Sequence, residues 1–148
     1  MNFLVYVAAP FEDAALVRSI HDRLESIDMS PTSRWALSAT SAEDFAKFTP
    51  SQLRGLAQQN DSDLRGSDVA LVVARAGAGG EMFAEARMAL EWGKPVVWVG
   101  RWILSAWRRG VVRAGDIDGA FETLIQMRAK YSEGYRGHML AHLSGCAA

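Results

Sequence analysis

Residues 77–100, GAGGEMFAEARMALEWGKPVVWVG, confine this chain to a narrow set of folds. The segment opens on a glycine turn and continues as a helix carrying two carboxylates one turn apart. It stops at Gly93 and leaves as an apolar run, Pro95–Val99. Such a run, without polar alternation, reads as a strand covered on both faces, the hallmark of a parallel sheet. Gly93 reads as the residue just past the helix, and Pro95 as the start of the strand.

The rest of the chain repeats the theme. Asn2–Ala8 is a buried first strand, ended by Pro10, which cannot continue a central ladder. Val17, Ile20, Leu24 and Ile27 then mark one face of a helix, with Glu12 and Asp13 in its first turn. Ser30-Pro31-Thr32 reads as a break, and Ser33–Leu37 as a short second strand. Thr40 with Glu43 makes one capping box, and Thr49 with Gln52 a better one, which starts a helix over Pro50–Gln59. Asp68–Ala74 is a further buried strand. Beyond Val99, Arg101–Gly110 is irregular or briefly helical, Val111–Arg113 an edge strand, and Asp116 the cap of a helix over Ile117–Lys130. A polar helical tail follows from Tyr131. Strands alternating with helices predict an α/β fold, a parallel sheet with helices on both faces.

Composition removes several classes of function. A chain of 148 residues suits one domain, here with a core over about 3–127, and 49 % apolar with 22 % charged residues is a globular balance. The net charge is −1, and the 16 basic residues are scattered, the nearest thing to a cluster being Arg101, Arg108, Arg109 and Arg113. That is no basic face for a polymeric nucleic acid, although one arginine or a set of backbone amides holds a phosphate. The single cysteine, Cys146, excludes a disulfide framework and a cysteine-rich metal site. His138 and His142 stand four apart but read as an exposed pair on a polar helix, so neither metal nor cofactor is expected. The N-terminus lacks signal-peptide character and no run is long enough to cross a membrane, so a cytoplasmic protein is expected.

Parallel α/β sheets bind ligands beyond the carboxyl ends of their strands, where strand order reverses. The residues there are Ala9, Pro10 and Phe11, the segment around Trp35, the turn 76–80, and Gly100-Arg101. Gly77, Gly79 and Gly80 have two readings: a tight turn, or a backbone cradle for an anion at a helix start. No Walker or dinucleotide fingerprint is present. Glu81 and Glu85 share a helix face. They read either as solvated glutamates or as a nucleophile and stabiliser of positive charge, with the helix dipole favouring the anion. Tyr6 either packs in its strand or orients a carboxylate. Asp63 caps a turn or reaches a ligand from the loop before the third strand. Asp68 and Lys94 belong at the amino end of the sheet, away from the cleft.

In order and spacing, these residues resemble the nucleoside 2-deoxyribosyltransferase family over roughly Phe3–Ile125. The likeness rests on VYVAAPF at Val5–Phe11, DLRGSDVALVV from Asp63, and EARMALEWGKPVVWVG from Glu85, which lies eight residues before Gly93. The resemblance implies a flavodoxin-like, Rossmann-like three-layer sandwich with about five parallel strands. It also implies cleavage of the bond between a nucleobase and a sugar. By position, Glu85 would attack the anomeric carbon, Tyr6 would orient it, and Asp63 would handle the base; Glu81 is the rival nucleophile. The acceptor would be a second base or water, and the protein a homodimer or larger homo-oligomer with contacts at Trp102–Arg109 and the tail. Two departures stand out. Arg87 replaces a family glycine two residues after the glutamate, a large cation that either binds a phosphate or marks altered or lost activity. The turn ARAGAGG lacks acidic residues that would hold a base, and its glycines suit a phosphate better. The turn leans toward a nucleotide rather than a nucleoside, and toward hydrolysis. The alternatives are a non-catalytic nucleotide-binding or sensing protein on the same fold, and an interaction protein using its five tryptophans.

Overall fold

A computed structural model describes residues 2–38, 42–75 and 80–145. Among them, β1 (Phe3–Ala8), β2 (Met29–Pro31), β3 (Val69–Ala74), β4 (Val96–Gly100) and β5 (Val111–Ala114) form one sheet. Its order is β2-β1-β3-β4-β5 and every pairing is parallel. This is the expected flavodoxin-like sheet, and its order reverses between β1 and β3. The helices are α1 (Ala14–Ser26), α2 (Trp35–Ser38), α3 (Ala42–Ala46), α4 (Pro50–Arg65), α5 (Glu81–Glu91) and α6 (Ile117–Gly145). Short 3-10 turns lie at Phe11–Asp13 and Leu104–Trp107.

Side-chain contacts fix the layers. Arg23 of α1 donates to Asp118 of α6 at 2.7 Å and lies 4.1 Å from the centre of the Phe121 ring, so these helices share one face. Arg65 of α4 stacks on Trp92, just past α5, at 4.5 Å, which puts those two on the other. Strand pleating divides β1 between the layers. Phe3 meets the Tyr131 ring of α6 at 5.8 Å, whereas Tyr6, three residues on, points toward α5. The β3 side chains are all buried, as are Val96–Val99 of β4, which is why both segments read as unbroken apolar runs.

The second strand departs from expectation. It is Met29–Pro31, not Ser33–Leu37, and Trp35–Ser38 is helical. Side chains displace the ladder after Thr32. Ser33 Oγ accepts from Val7 N at 3.0 Å, and the Trp35 indole donates to Val7 O at 2.9 Å, which frees the local backbone to turn. Pro31 does not break the strand because β2 is an edge, where a missing N–H is tolerated. Helix α4 opens on the expected box, Thr49 Oγ1 accepting from Gln52 N and Gln52 Oε1 from Thr49 N. It runs past Gln59 to Arg65 because Asp63 and Leu64 are drawn into the core, so Asp63 lies in a helix and not in a loop. Helix α6 absorbs the tail without interruption. Thr40 lies outside the described residues. No helix among those described is long and apolar enough to cross a membrane.

Gly93, at φ +74°, ends α5, and Lys94 donates to Ser67 O before β3, at the amino end of the sheet. Gly100 is constrained more tightly. Its φ is +100°, and a Cβ there would stand 2.1 Å from Ala74 O. Gly100→Ala is therefore expected to destabilise the fold by about 3 kcal/mol or more in urea titrations. In mid-α4, Gly55 has open space around it. Gly55→Ala is expected to stabilise by about 0.5–1 kcal/mol, and a destabilising result there would contradict the helix geometry.

Candidate active site

Three elements converge where strand order reverses. The end of β1 carries Tyr6 and, beyond the strand, Ala9, Pro10 and Phe11. The β2–α2 connection carries Arg34 and Trp35, and α5 opens with Glu81 and places Glu85 one turn further on. Gly80, at φ +67°, precedes α5 in a conformation that suits glycine. Gly77 and Gly79 lie outside the described residues.

Tyr6 and Glu85 form the centre. The phenol has no exposed surface, and Glu85 is only 7 % exposed. Each perturbs the other's proton affinity. Burial chiefly, then the charge of Glu85, pushes the phenol far above its ordinary range, with smaller contributions from Asp63 and Glu81. Tyr6 therefore keeps its proton at any physiological pH and serves as a donor. The Glu85 carboxyl is pushed up to about 7, first by burial and further by Glu81 and Asp61, against the Tyr6 phenol, which favours the anion. The expectation that the helix dipole keeps Glu85 ionised is thus corrected. Glu85 is the fifth residue of α5, beyond the first turn where the dipole acts, and desolvation outweighs it. Tyr6 Oη and Glu85 Oε2 are both buried and neither completes a hydrogen bond of full geometry, although the two side chains are near enough for the phenol to favour the Glu85 anion.

Asp63 is close enough to act on Tyr6, but its carboxylate is occupied. Arg34 Nε donates to both of its oxygens at 2.9 and 3.1 Å, Arg34 Nη2 to Oδ1 at 2.6 Å, and the Arg34 backbone N–H to Oδ2 at 3.2 Å. This fork holds Asp63 in one orientation. A second clasp ties the strand ends together: Arg75, after β3, pairs with buried Asp13, which stands just before α1. Phe11 and Trp35 come together with their ring centres 6.1 Å apart, and Phe11 also meets Phe45 of α3 at 4.9 Å.

The structure therefore gathers Tyr6, Glu85, Glu81, Asp63, Phe11 and Trp35 around one end of the sheet. It does not bring Arg87 there. Arg87 lies on the flank of α5 toward β4, beside Phe83 and Trp98, and pairs with Glu91 at 3.2 Å. Sequence reading missed Arg34, Arg75, Asp13, Asp61 and Phe45. Asp13 was noted only as a helix-start acid, and nothing local signals which cation each buried aspartate meets. Neither a cavity of about 430 Å³ lined by Leu16, Val73, Gly100 and Ile117 nor one of about 390 Å³ lined by Arg18, His21, Ser33 and Arg34 includes Glu85, so cavity size alone points elsewhere than the perturbed carboxyl. The perturbed carboxyl is the stronger indicator of chemistry.

The raised Glu85 affinity has a stability signature. Below about pH 4.5 the carboxyl is neutral folded or unfolded. Between 4.5 and about 7 only the unfolded chain ionises it, so stability falls as pH rises. Glu85→Gln removes this dependence. Its stability relative to the parent should improve by about 3 kcal/mol between pH 4 and pH 8, read from denaturant midpoints. A pH-independent difference would show that Glu85 is not desolvated as described.

No protein-family model matches the sequence, and no curated protein matches it. Among solved structures, the chain is similar to a 2-deoxyribosyltransferase from the psychrotolerant bacterium Bacillus psychrosaccharolyticus. The TM-score is 0.65 at 15 % identity, covering 82 % of this chain and 95 % of that one, so the two share the fold from end to end of the smaller protein.

Proposed function

We propose that this chain cleaves the N-glycosidic bond of a (deoxy)nucleoside or nucleoside 5′-monophosphate, with Glu85 as nucleophile. The observation that carries this reading is the buried Tyr6–Glu85 pair, unpartnered at the point where strand order reverses. The likeness to a 2-deoxyribosyltransferase speaks for the fold, and the reaction class is borrowed from that neighbour. In the first step a Glu85 oxygen bonds to the anomeric carbon as the C–N bond breaks, and the departing electron pair goes to the base, which takes up a proton. Tyr6 donates to the other carboxylate oxygen and holds it in line. Asp63, oriented by Arg34, meets the base, and Phe11 and Trp35 wall the site. Ala9, Pro10, Gly80 and Glu81 complete the lining, with the start of α5 toward a 5′-phosphate. In the second step the oxygen of water, or a nitrogen of another base, attacks the same carbon and releases Glu85. Hydrolysis with a nucleotide substrate is the version favoured by the glycine turn. The working form is a homodimer or larger, as the family resemblance implies.

A panel of ribo- and deoxyribonucleosides and their monophosphates, followed by chromatography of free base, tests the reading. Glu85→Ala should lower the rate by at least about a thousandfold and Tyr6→Phe by about a hundredfold. Because the nucleophile must be ionised, kcat/KM should climb with pH and level off above about 7. No base release from any substrate, or a rate lost in Glu81→Ala but kept in Glu85→Ala, would overturn the assignment. A new nucleoside on adding a second base would identify transfer in place of hydrolysis.

A further inference from the structure

The flank of α5 opposite Glu85 has its own constellation. A cavity of about 270 Å³ is floored by Phe83, Ala86, Leu90, Trp98 and Val111 and rimmed by Arg87 and Arg108. A second cavity of about 360 Å³ shares Arg87, Leu90 and Arg108 with it and adds Arg109 and Glu91. The two are therefore continuous. The floor's accessible apolar surface comes from half-buried Phe83, Leu90 and Val111. Trp98 is fully buried and stacks against Phe83, the rings 5.7 Å apart and within 1° of parallel, and its indole N–H is taken by Arg101 O at 2.8 Å, so it offers the groove no donor.

The charge at the rim is unbalanced. Three arginines meet one carboxylate, Glu91, which is engaged by Arg87. Among the described residues, the ion pairs leave Arg108 and Arg109 without a carboxylate. Arg113, nearby, is committed to the Trp107 ring at 3.8 Å and to Ala106 O. Arginines in excess of acids beside an apolar floor complement a ligand with an apolar body and an anionic group.

We propose that this flank of α5 is a second ligand site, for a small planar ring compound bearing a phosphate or carboxylate. Arg108 and Arg109 take the anion, Arg87 supports them, and the ring lies against Phe83, Leu90 and Val111. The site is independent of the Glu85 chemistry and stands whether or not base release is found.

Titration calorimetry with phenyl phosphate and with benzoate tests it, using inorganic phosphate and phenol as probes of each half alone. Saturable binding of a ring anion is expected, tighter than inorganic phosphate or phenol, and weakened by added salt. The tighter of the two ring anions identifies the anionic group. Arg108→Ala/Arg109→Ala should weaken it by at least about tenfold. Arg108→Lys/Arg109→Lys should recover part of the loss, and Glu85→Gln should leave the affinity unchanged. Both arginines are exposed, so thermal midpoints should not move. Absence of saturable binding below about 10 mM, equal affinity for inorganic phosphate and phenyl phosphate, or an affinity indifferent to the arginine variants would overturn the site. So would sedimentation showing a dimer that the alanine pair dissociates while no probe binds, since the face would then belong to a second copy.

Discussion

The parallel contact between β1 and β3 is the constraint on which the rest of the molecule depends. From β1 the chain crosses to β2 through α1 on one face, and from β3 it crosses to β4 through α5 on the other. The two connections diverge, and the carboxyl edge of the sheet opens between them. Most groups at the candidate site hang from that divergence: the residues after β1, the Arg34 segment after β2, and the start of α5 after β3, with Asp63 added from α4. The Asp13–Arg75 pair spans it, and the close approach of Gly100 to Ala74 holds the neighbouring strand end in register.

Within this frame Glu85 is set against its surroundings. Tyr6 offers a donor, but Glu81 and Asp61 add like charge and the core removes water. A carboxyl so placed weakens the fold at neutral pH, and the apolar packing of β1, β3 and β4 keeps it there. Tyr6 and Glu85 are polar groups buried without a completed hydrogen bond among apolar neighbours, a departure from the rules of burial that sites of chemistry share. Asp63 shows the contrast: equally buried, it is surrounded by donors from Arg34.

Helix α5 has two different flanks. One carries Glu85 toward Tyr6 of β1. The other turns Arg87 toward β4, where apolar floor and arginine rim meet. Two residues of separation on a helix amount to about half a turn, so neighbours in sequence serve opposite surfaces.

Much of the fold was legible in the residues. Unbroken apolar runs at β1, β3 and β4 can be buried only in a two-sided parallel sheet, and Thr49-Pro50 and Gly93 punctuate helices by local chemistry that needs no tertiary help. Glu85 and Tyr6 were identifiable as candidates from position and resemblance. Where the sequence failed, side chains had replaced backbone partners, as Ser33 and Trp35 do after β2, or burial had lengthened a helix, as at Asp63. Ionisation was also out of reach, because the dipole is a property of one helix whereas desolvation is a sum over every element packed on Glu85. The sequence by itself therefore determined which segments are the buried strands β1, β3 and β4 and which residues lie at their ends, though not the edge strand β2. Only the tertiary structure decided which cation each buried carboxylate meets, that Glu85 meets none among the described residues, and that Arg87 faces away from it, because those outcomes depend on distances between segments far apart in the chain.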